Sequence, residues 1–483
     1  MPSKSSLYWY DLETFGISPK HYRIAQFAGI RTDENLNIIS KPLVLYCKPA
    51  EDMLPDPNSC LITGITPQHA SQHGVCELEF LKSIHKEFTK SNTCIVGYNN
   101  IRFDDEFIRY SLYRNFFDPY EHEWKNGNTR WDILDIVRLT KALRPQGIEW
   151  PQHEDGSQSF KLEDLTKANN ISHESAHDAL SDVYATIAIA KLIKQQQPKL
   201  FGYMFDLRNK HKISMLLNLN QHEPVIHISA MYPKEYGCAA MVSPLIAHPT
   251  NKNGVIVYDL RFDPSQFFDL SVEELKQRLF TPREELLDGV ERLPLKTIHI
   301  NKCPVVVPLS TLDADSAQRH KIDIAKSNEH LQMLLNNTSF ANKVQQVFSD
   351  TKFPKETDPD RSIYNGFFSN ADKAKFENIR NMSPKDLDNI NYSFGDPKIP
   401  EMLFRYHARN FPETLSQEDK ERWYDFCHTR LSNENSEYYN FDSYFAEIEH
   451  LKTTHSLNTE HLELLNKLKE HGRQISAMST ITS

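Results

Sequence analysis

Leu7-Tyr8-Trp9-Tyr10-Asp11-Leu12-Glu13-Thr14-Phe15-Gly16 is the stretch on which the reading of this 483-residue chain turns. Its aromatic, apolar opening, Leu7 to Tyr10, reads as a buried strand. The run stops at two carboxylates one residue apart. Residues two apart on a strand share a face, so Asp11 and Glu13 are expected to project together from the strand's end. Two like charges that close repel, and each then favours its protonated form. A cation between them removes the conflict. Hard cations such as Mg²⁺ or Mn²⁺ take carboxylate oxygens, so the pair reads as half of a metal site. By itself Asp-x-Glu is common and reads first as a solvated turn with two surface acids; the rest of the chain has to decide.

Outward from that stretch, a second strand is expected over Arg23–Arg31. Past a turn at Thr32–Asn35, a third covers Pro42–Cys47, giving an antiparallel meander at a sheet edge. Leu61–Pro67 reads as a loop whose Thr66 can cap a helix, with Pro67 at its first position. A helix over Glu77–Phe88 and a buried strand over Cys94–Asn99 follow. Further helices are expected from the Asp104 region past Tyr113, and over Asp132–Leu143, Glu163–Asn169 and Ser181–Lys194. Helices following strands on a mixed sheet make an α/β layer architecture, with Gln195–Pro198 as its boundary. The middle of the chain turns β-rich, with strands over Pro224–Ser229, Ala239–Val242, Gly254–Asp259 and Thr297–Ile300, which suggests a small barrel or sheet domain. From Lys355 the pattern is helical and charged, as in Leu462, Leu464, Leu465 and Leu468. Domain limits of 1–198, 199–352 and 353–475 follow, with 476–483 as a frayed tail.

Composition bounds the function. A formal net charge of −10 with 39% hydrophobic residues suits a globular chain of several domains and argues against a general nucleic-acid coat. It leaves room for a local basic path over an acidic site. No apolar run approaches the roughly 20 residues of a membrane span, and the N-terminus carries no signal-peptide pattern. Seven scattered cysteines suggest reduced thiols in the cytoplasm, not a disulfide framework or zinc site.

Three more groups join the first pair. Asp104 sits at a strand-to-helix turn, where a lone acid reads as a helix cap. Asp182 falls in the first turn of the long helix, and His177 lies in the loop just before it. A loop histidine and a helix-borne aspartate at this spacing can face one centre, and the small Ala176 and Ala179 leave room for a substrate backbone.

With these residues on the page, Asp11-x-Glu13, Asp104 within Asn-x-x-Phe-Asp, and His177-x-x-x-x-Asp182 resemble the three motifs of the DEDDh exonucleases, which share a ribonuclease H-like fold. Longer strings resemble the bacterial exodeoxyribonuclease I family. They are Tyr10 to Gly16, Leu61 to Pro67, Gly97 to Glu106, Leu165 to Asn169, His299 to Pro304, Tyr364 to Phe368 and Ala408 to Pro412. The likeness covers nearly the whole chain. It implies a ribonuclease H-like exonuclease domain, an SH3-like β-barrel and a C-terminal helical domain, which together close a groove around the strand for processive digestion. It implies release of nucleoside 5′-monophosphates from the 3′ end of single-stranded DNA, a monomer, and a role in repair and recombination. It also implies two Mg²⁺ ions, replaceable by Mn²⁺, about 3.5–4 Å apart, one activating water and one stabilising the leaving oxygen. Asp11 would bridge them, Glu13 and Asp182 would complete one, and Asp104 would hold the second or its water. His177 would be the general base, since an imidazole pKa near ~6.5 suits that task. Glu13 would also touch the terminal 3′-hydroxyl.

A single strand needs cations for phosphates and flat side chains for bases. Between Asp104 and His177 the chain offers Arg109, Arg114, Tyr120, Trp124, Arg130, Trp131, Arg138 and Arg144, with Phe103 as a wedge and Lys161 as a phosphate contact. The resemblance selects Arg109, Tyr120, Trp124, Arg138 and Lys161 as DNA contacts. It offers Arg144 and Tyr203 for the acidic tail of a single-strand DNA-binding protein. Each reads otherwise as a surface charge or core aromatic. A DEDDh enzyme acting on RNA or as a proofreading subunit is the alternative within enzymes; the two large C-terminal regions argue against it, and no 2′-hydroxyl contact is legible. A non-catalytic strand-binding protein is the alternative outside them, and the presence of all five catalytic groups argues against that.

Overall fold

The computed structural model describes residues 5–173, 177–349, 355–390, 392–454 and 457–478. Ala176 lies outside them. In chain order the first part contains β1 (Ser6–Thr14), β2 (Ile24–Thr32), β3 (Leu43–Tyr46), α1 (Pro57–Thr63), α2 (Pro67–His73), α3 (Glu77–Phe88), β4 (Thr93–Gly97), α4 (Asp104–Arg114), β5 (Thr129–Asp132), α5 (Ile133–Leu143), α6 (Leu162–Ala168) and α7 (Ala179–Gln196). Thr66 caps α2 as expected, its Oγ1 accepting from the His69 amide at 3.2 Å with Pro67 following. Leu61–Thr63, expected in a loop, closes α1 instead; the helix stops where Gly64 takes φ +70°.

One compact unit is built from Met1–Thr129, His173–Tyr184 and Lys355–Ser483. Its strands run in the order β3-β2-β1-β4. β1 pairs antiparallel with β2, from Leu7↔Thr32 to Glu13↔Gln26, and parallel with β4, from Ser6↔Thr93 to Trp9↔Val96. The sequence reading ended β1 near Tyr10. The strand continues to Thr14, because β2 goes on pairing after β4 has stopped. Asp11 and Glu13 therefore stand inside a strand, just past the end of its parallel partner. There Gly97 ends β4, and a Cβ at that position would lie 2.7 Å from the Asn100 Cβ and 3.0 Å from the Tyr10 carbonyl oxygen. That close passage lets the chain turn into a short 3₁₀ segment and then α4.

The core of this unit joins distant parts of the chain. Tyr10 and Phe27 of the sheet and Phe80 and Phe88 of α3 belong to the same buried cluster as Tyr406, Tyr444, Leu465 and Leu468. The latter lie on the helices Ile399–Asn410, Phe441–Thr454 and Thr459–Met478. The last of these is helical through Met478, three residues into the stretch read as a tail. A buried ionic knot accompanies the apolar core. Asp52 Oδ2 accepts from Arg23 Nη2 at 3.1 Å, Arg409 Nε at 3.2 Å and Arg430 Nη1 at 3.3 Å. Asp360 Oδ2 accepts from Arg405 at 3.0 Å and also from Arg409.

The second unit comprises Arg130–Ser172 and Ala185–Pro354. It holds a wholly antiparallel sheet of β6 (Val225–Ile228), β7 (Ala239–Ala247), β8 (Gly254–Asp259), β9 (Leu295–His299) and β10 (Val305–Pro308), in the order β10-β6-β7-β8-β9. β10 was not among the expected strands. β7 extends past the expected Val242 through an irregularity at Pro244–Ile246, where proline has no amide to give the ladder. Among the described residues no helix is long and apolar enough to cross a membrane.

Candidate active site

Asp11, Glu13 and Asp182 each present a carboxylate oxygen within 4.8 Å of the others. The first two share a face of β1 by strand period. The third is delivered by the first turn of α7. That helix start is tied to the sheet: Asp178 Oδ2 accepts from the Ser181 amide at 3.2 Å, and the Ala179 amide reaches Gln26 Oε1 at 3.5 Å. Gln26 lies opposite Glu13 in β2. The residue paired with one acid thus helps seat the helix that carries another, while its amide nitrogen donates to Tyr46 Oη at 3.1 Å. Asp104 opens α4 and is buried. It lies outside the three-acid group but acts on Asp11.

The electrostatics record the crowding. Burial pushes Glu13 up to about 9, reinforced by Asp11, Asp182 and Asp178. Burial also holds Asp11 well above the usual carboxylate range, with Asp104 and Asp182 adding to the effect. Asp182 is raised by burial as well, against the pull of a hydrogen bond from His173. Such a set is short of positive charge, and oxygen-only donors fit a hard divalent cation.

His177 is exposed and takes φ +65° in the turn before α7. The sequence reading missed three groups here. His173, in the same loop, places Nε2 2.5 Å from Asp182 Oδ1. Asp178 is an additional acid acting on Asp11 and Glu13. Gln26 was read only as part of a strand. A second histidine four residues before His177 was the visible signal for the first.

The expected strand contacts divide. In the first unit Trp124 is 67% exposed. Tyr120 is half-buried and lies 5.3 Å from the Arg109 guanidinium. Arg109 itself is buried, held by Glu123 at 2.7 and 3.0 Å and by Glu106 at 2.6 Å, so its charge is already matched. Beside Tyr120, at 6.0 Å, stands Phe367, 80% exposed, with Lys373 Nζ 5.6 Å from its ring. Tyr364, also exposed, bonds Glu106. Neither Phe367 nor Tyr364 had been singled out as a contact. In the second unit Lys161 is exposed, 3.5 Å from Glu163, and Arg138 is mostly buried, 3.4 Å from Asp135. Arg144 donates to the Thr311 carbonyl at 3.0 Å and meets Asp313 at 3.3 Å, while Tyr203 donates to the Val306 carbonyl at 3.3 Å. Three members of the interleaved set are structural instead. Arg114 is buried on Glu77, with Nε at 2.9 Å. Arg130 is buried and donates to the Asn301 carbonyl. Trp131 packs in the core against Phe201 and Phe205.

Three family models match the chain in succession: Exonuclease over residues 8–190, Exonuclease I SH3-like domain over 208–350, and Exonuclease I C-terminal domain over 357–475. The exodeoxyribonuclease I of Haemophilus influenzae is 45% identical, covering 97% of this chain and 98% of its own. The zinc-bound form of the E. coli exonuclease I complex with single-stranded DNA is 43% identical with a TM-score of 0.93, covering 98% of this chain and 100% of that one. A structure of exonuclease I with SSB and an inhibitor is 42% identical with a TM-score of 0.90, at the same coverage. The chain belongs to the exonuclease I family.

Proposed function

We propose that this protein is a single-strand-specific 3′-to-5′ exodeoxyribonuclease that releases nucleoside 5′-monophosphates. The observation that carries the reading is the gathering of Asp11, Glu13 and Asp182, with Asp104 acting on Asp11, at the open end of β1. Two Mg²⁺ ions, with Mn²⁺ able to replace them, would be held by Asp11, which would serve both, by Glu13 and Asp182 for one, and by Asp104 for the other. Ions at such a site supply activation of water and neutralisation of charge at the leaving oxygen. His177, exposed in its turn, accepts the proton of the attacking water. Glu13 also accepts from the terminal 3′-hydroxyl and so registers the end of the strand.

Trp124, Tyr120 and Phe367 provide faces on which bases stack, and Arg109 supports Tyr120 from beneath. Arg138 and Lys161 serve phosphates. Arg144 and Tyr203 receive the C-terminal tail of the single-strand DNA-binding protein, a partner supported by the SSB complex of the relative. The domain limits 1–198, 199–352 and 353–475 are retained, and the protein acts in DNA repair and recombination in the cytoplasm. The test is incubation with end-labelled single-stranded DNA, RNA and duplex, with Mg²⁺ or with EDTA. Mononucleotides are expected from single-stranded DNA alone, and only with Mg²⁺. Release from RNA but not DNA would overturn the substrate, and no release from any polymer would favour a strand-binding protein. Asp182→Ala is expected to abolish cleavage and spare strand binding.

A further inference from the structure

We infer that His173 is a positioning residue for the Asp182 carboxylate, fixing which of its oxygens faces the metal centre. The inference rests on the proposed metal site and adds a residue to it. Asp182 Oδ1 accepts from His173 Nε2 at 2.5 Å. The His173 side chain is 5% exposed and that of Asp182 17% exposed, so the contact is largely shielded from water. The carboxylate also takes a hydrogen bond from the His177 backbone, so His173 is the side-chain donor among those that set its orientation.

The need for such a constraint follows from the crowding. Asp182 sits in the first turn of α7, and two like charges, Asp11 and Glu13, stand within 4.8 Å of it. Without a cation these repel it, and locally a hydrogen bond from the His177 backbone opposes rotation of the carboxylate toward solvent. A buried donor on the far side holds it in place. Ligating carboxylates are commonly oriented by such hydrogen bonds, and losing the partner costs about 10–100-fold in metal affinity or activity. The two histidines of this loop thus have separate tasks. His177 is exposed in a left-handed turn and free to meet substrate, whereas His173 is buried and faces a ligand.

The test measures Mn²⁺ binding to the full-length protein without DNA, from the free-ion electron paramagnetic resonance signal, in wild type, His173→Ala, His173→Gln and Asp182→Asn. His173→Ala is expected to weaken Mn²⁺ binding about 10–100-fold. His173→Gln, which keeps an N–H donor, stays within about threefold of wild type. At saturating Mg²⁺ the cleavage rate of His173→Ala returns to nearly that of wild type, and its pH–rate profile keeps the wild-type inflection. Unchanged Mn²⁺ affinity in a normally melting His173→Ala, alongside weakened binding in Asp182→Asn, would overturn this inference alone. A rate loss that saturating metal does not restore would also overturn it, because His173 would then act on the reacting atoms. Wild-type affinity in Asp182→Asn would overturn the metal centre and this inference with it.

Discussion

Glu13→Gln should stabilise the metal-free protein, and the gain should grow with pH. Glu13 is 7% exposed and burial among acids pushes it up to about 9 from an ordinary 4.5. The unfolded chain gives up this proton near 4.5 and the folded chain near 9. Between those limits the folded state holds more protons, so stability falls as pH rises, by about 1.4 kcal/mol per pH unit for this group. From pH 6 to pH 8 the loss is about 2.7 kcal/mol. At about 1 °C per kcal/mol for a chain of 483 residues this is a fall of about 3 °C in melting temperature. Glutamine keeps the shape and removes the proton equilibrium, so the variant's curve is flatter by that amount. A saturating divalent cation neutralises the same charge and flattens the wild-type curve, adding about 2.7 kcal/mol at a hundredfold excess over its dissociation constant. The assay is thermal melting followed by tryptophan fluorescence, in EDTA and in Mg²⁺, at half-unit pH steps. Equal slopes for wild type and variant in EDTA would refute the reasoning, since Glu13 would then not be held protonated by a buried acid cluster.

Three further outcomes are expected. Burial alone would raise Asp52, but Arg409, Arg23 and Arg430 outweigh it and hold the carboxyl well below its usual range; Asp52→Asn should cost about 3–5 kcal/mol in urea unfolding at pH 7, a gap that narrows as the pH falls below about 4. Phe367→Ala should weaken binding of labelled single-stranded DNA by about 1–3 kcal/mol in fluorescence anisotropy with no change in melting, and unchanged affinity would remove Phe367 from the strand's path. His177→Ala should lower the single-turnover cleavage rate about 10²–10⁴-fold while leaving strand affinity intact.

Much of the site could be read because its spacing is local. Two residues on one strand face give Asp11 and Glu13, and only five positions separate His177, in the turn before α7, from Asp182 in its first turn. What escaped depends on partners far away in sequence. The end of β1 was misplaced because the pairing that prolongs it belongs to β2. Arg114 and Arg130 look like Arg138 in the sequence, yet Glu77 and the Asn301 carbonyl decide that the first two are buried supports. Phe367 and Trp131 are both aromatic residues beside polar ones, and only packing tells that one is 80% exposed and the other 1%. His173 was legible as a histidine but not as a neighbour of Asp182, since the loop's path sets that distance.

The ionic knot at Asp52 also sets a timetable for the ribosome. Its counter-charges Arg409 and Arg430 lie 357 and 378 residues downstream. At about 5–20 residues per second, roughly 20–75 s pass between synthesis of the carboxylate and of these two of its three guanidinium partners. Through that interval Arg23 is the one of its three guanidinium partners already made, and the buried carboxylate would have to settle with that partner alone. The catalytic strand shares its core with those late helices, so the blade of this nuclease stays unset until nearly the whole chain has left the tunnel. A truncated nascent chain would therefore carry the catalytic acids without the scaffold that arms them.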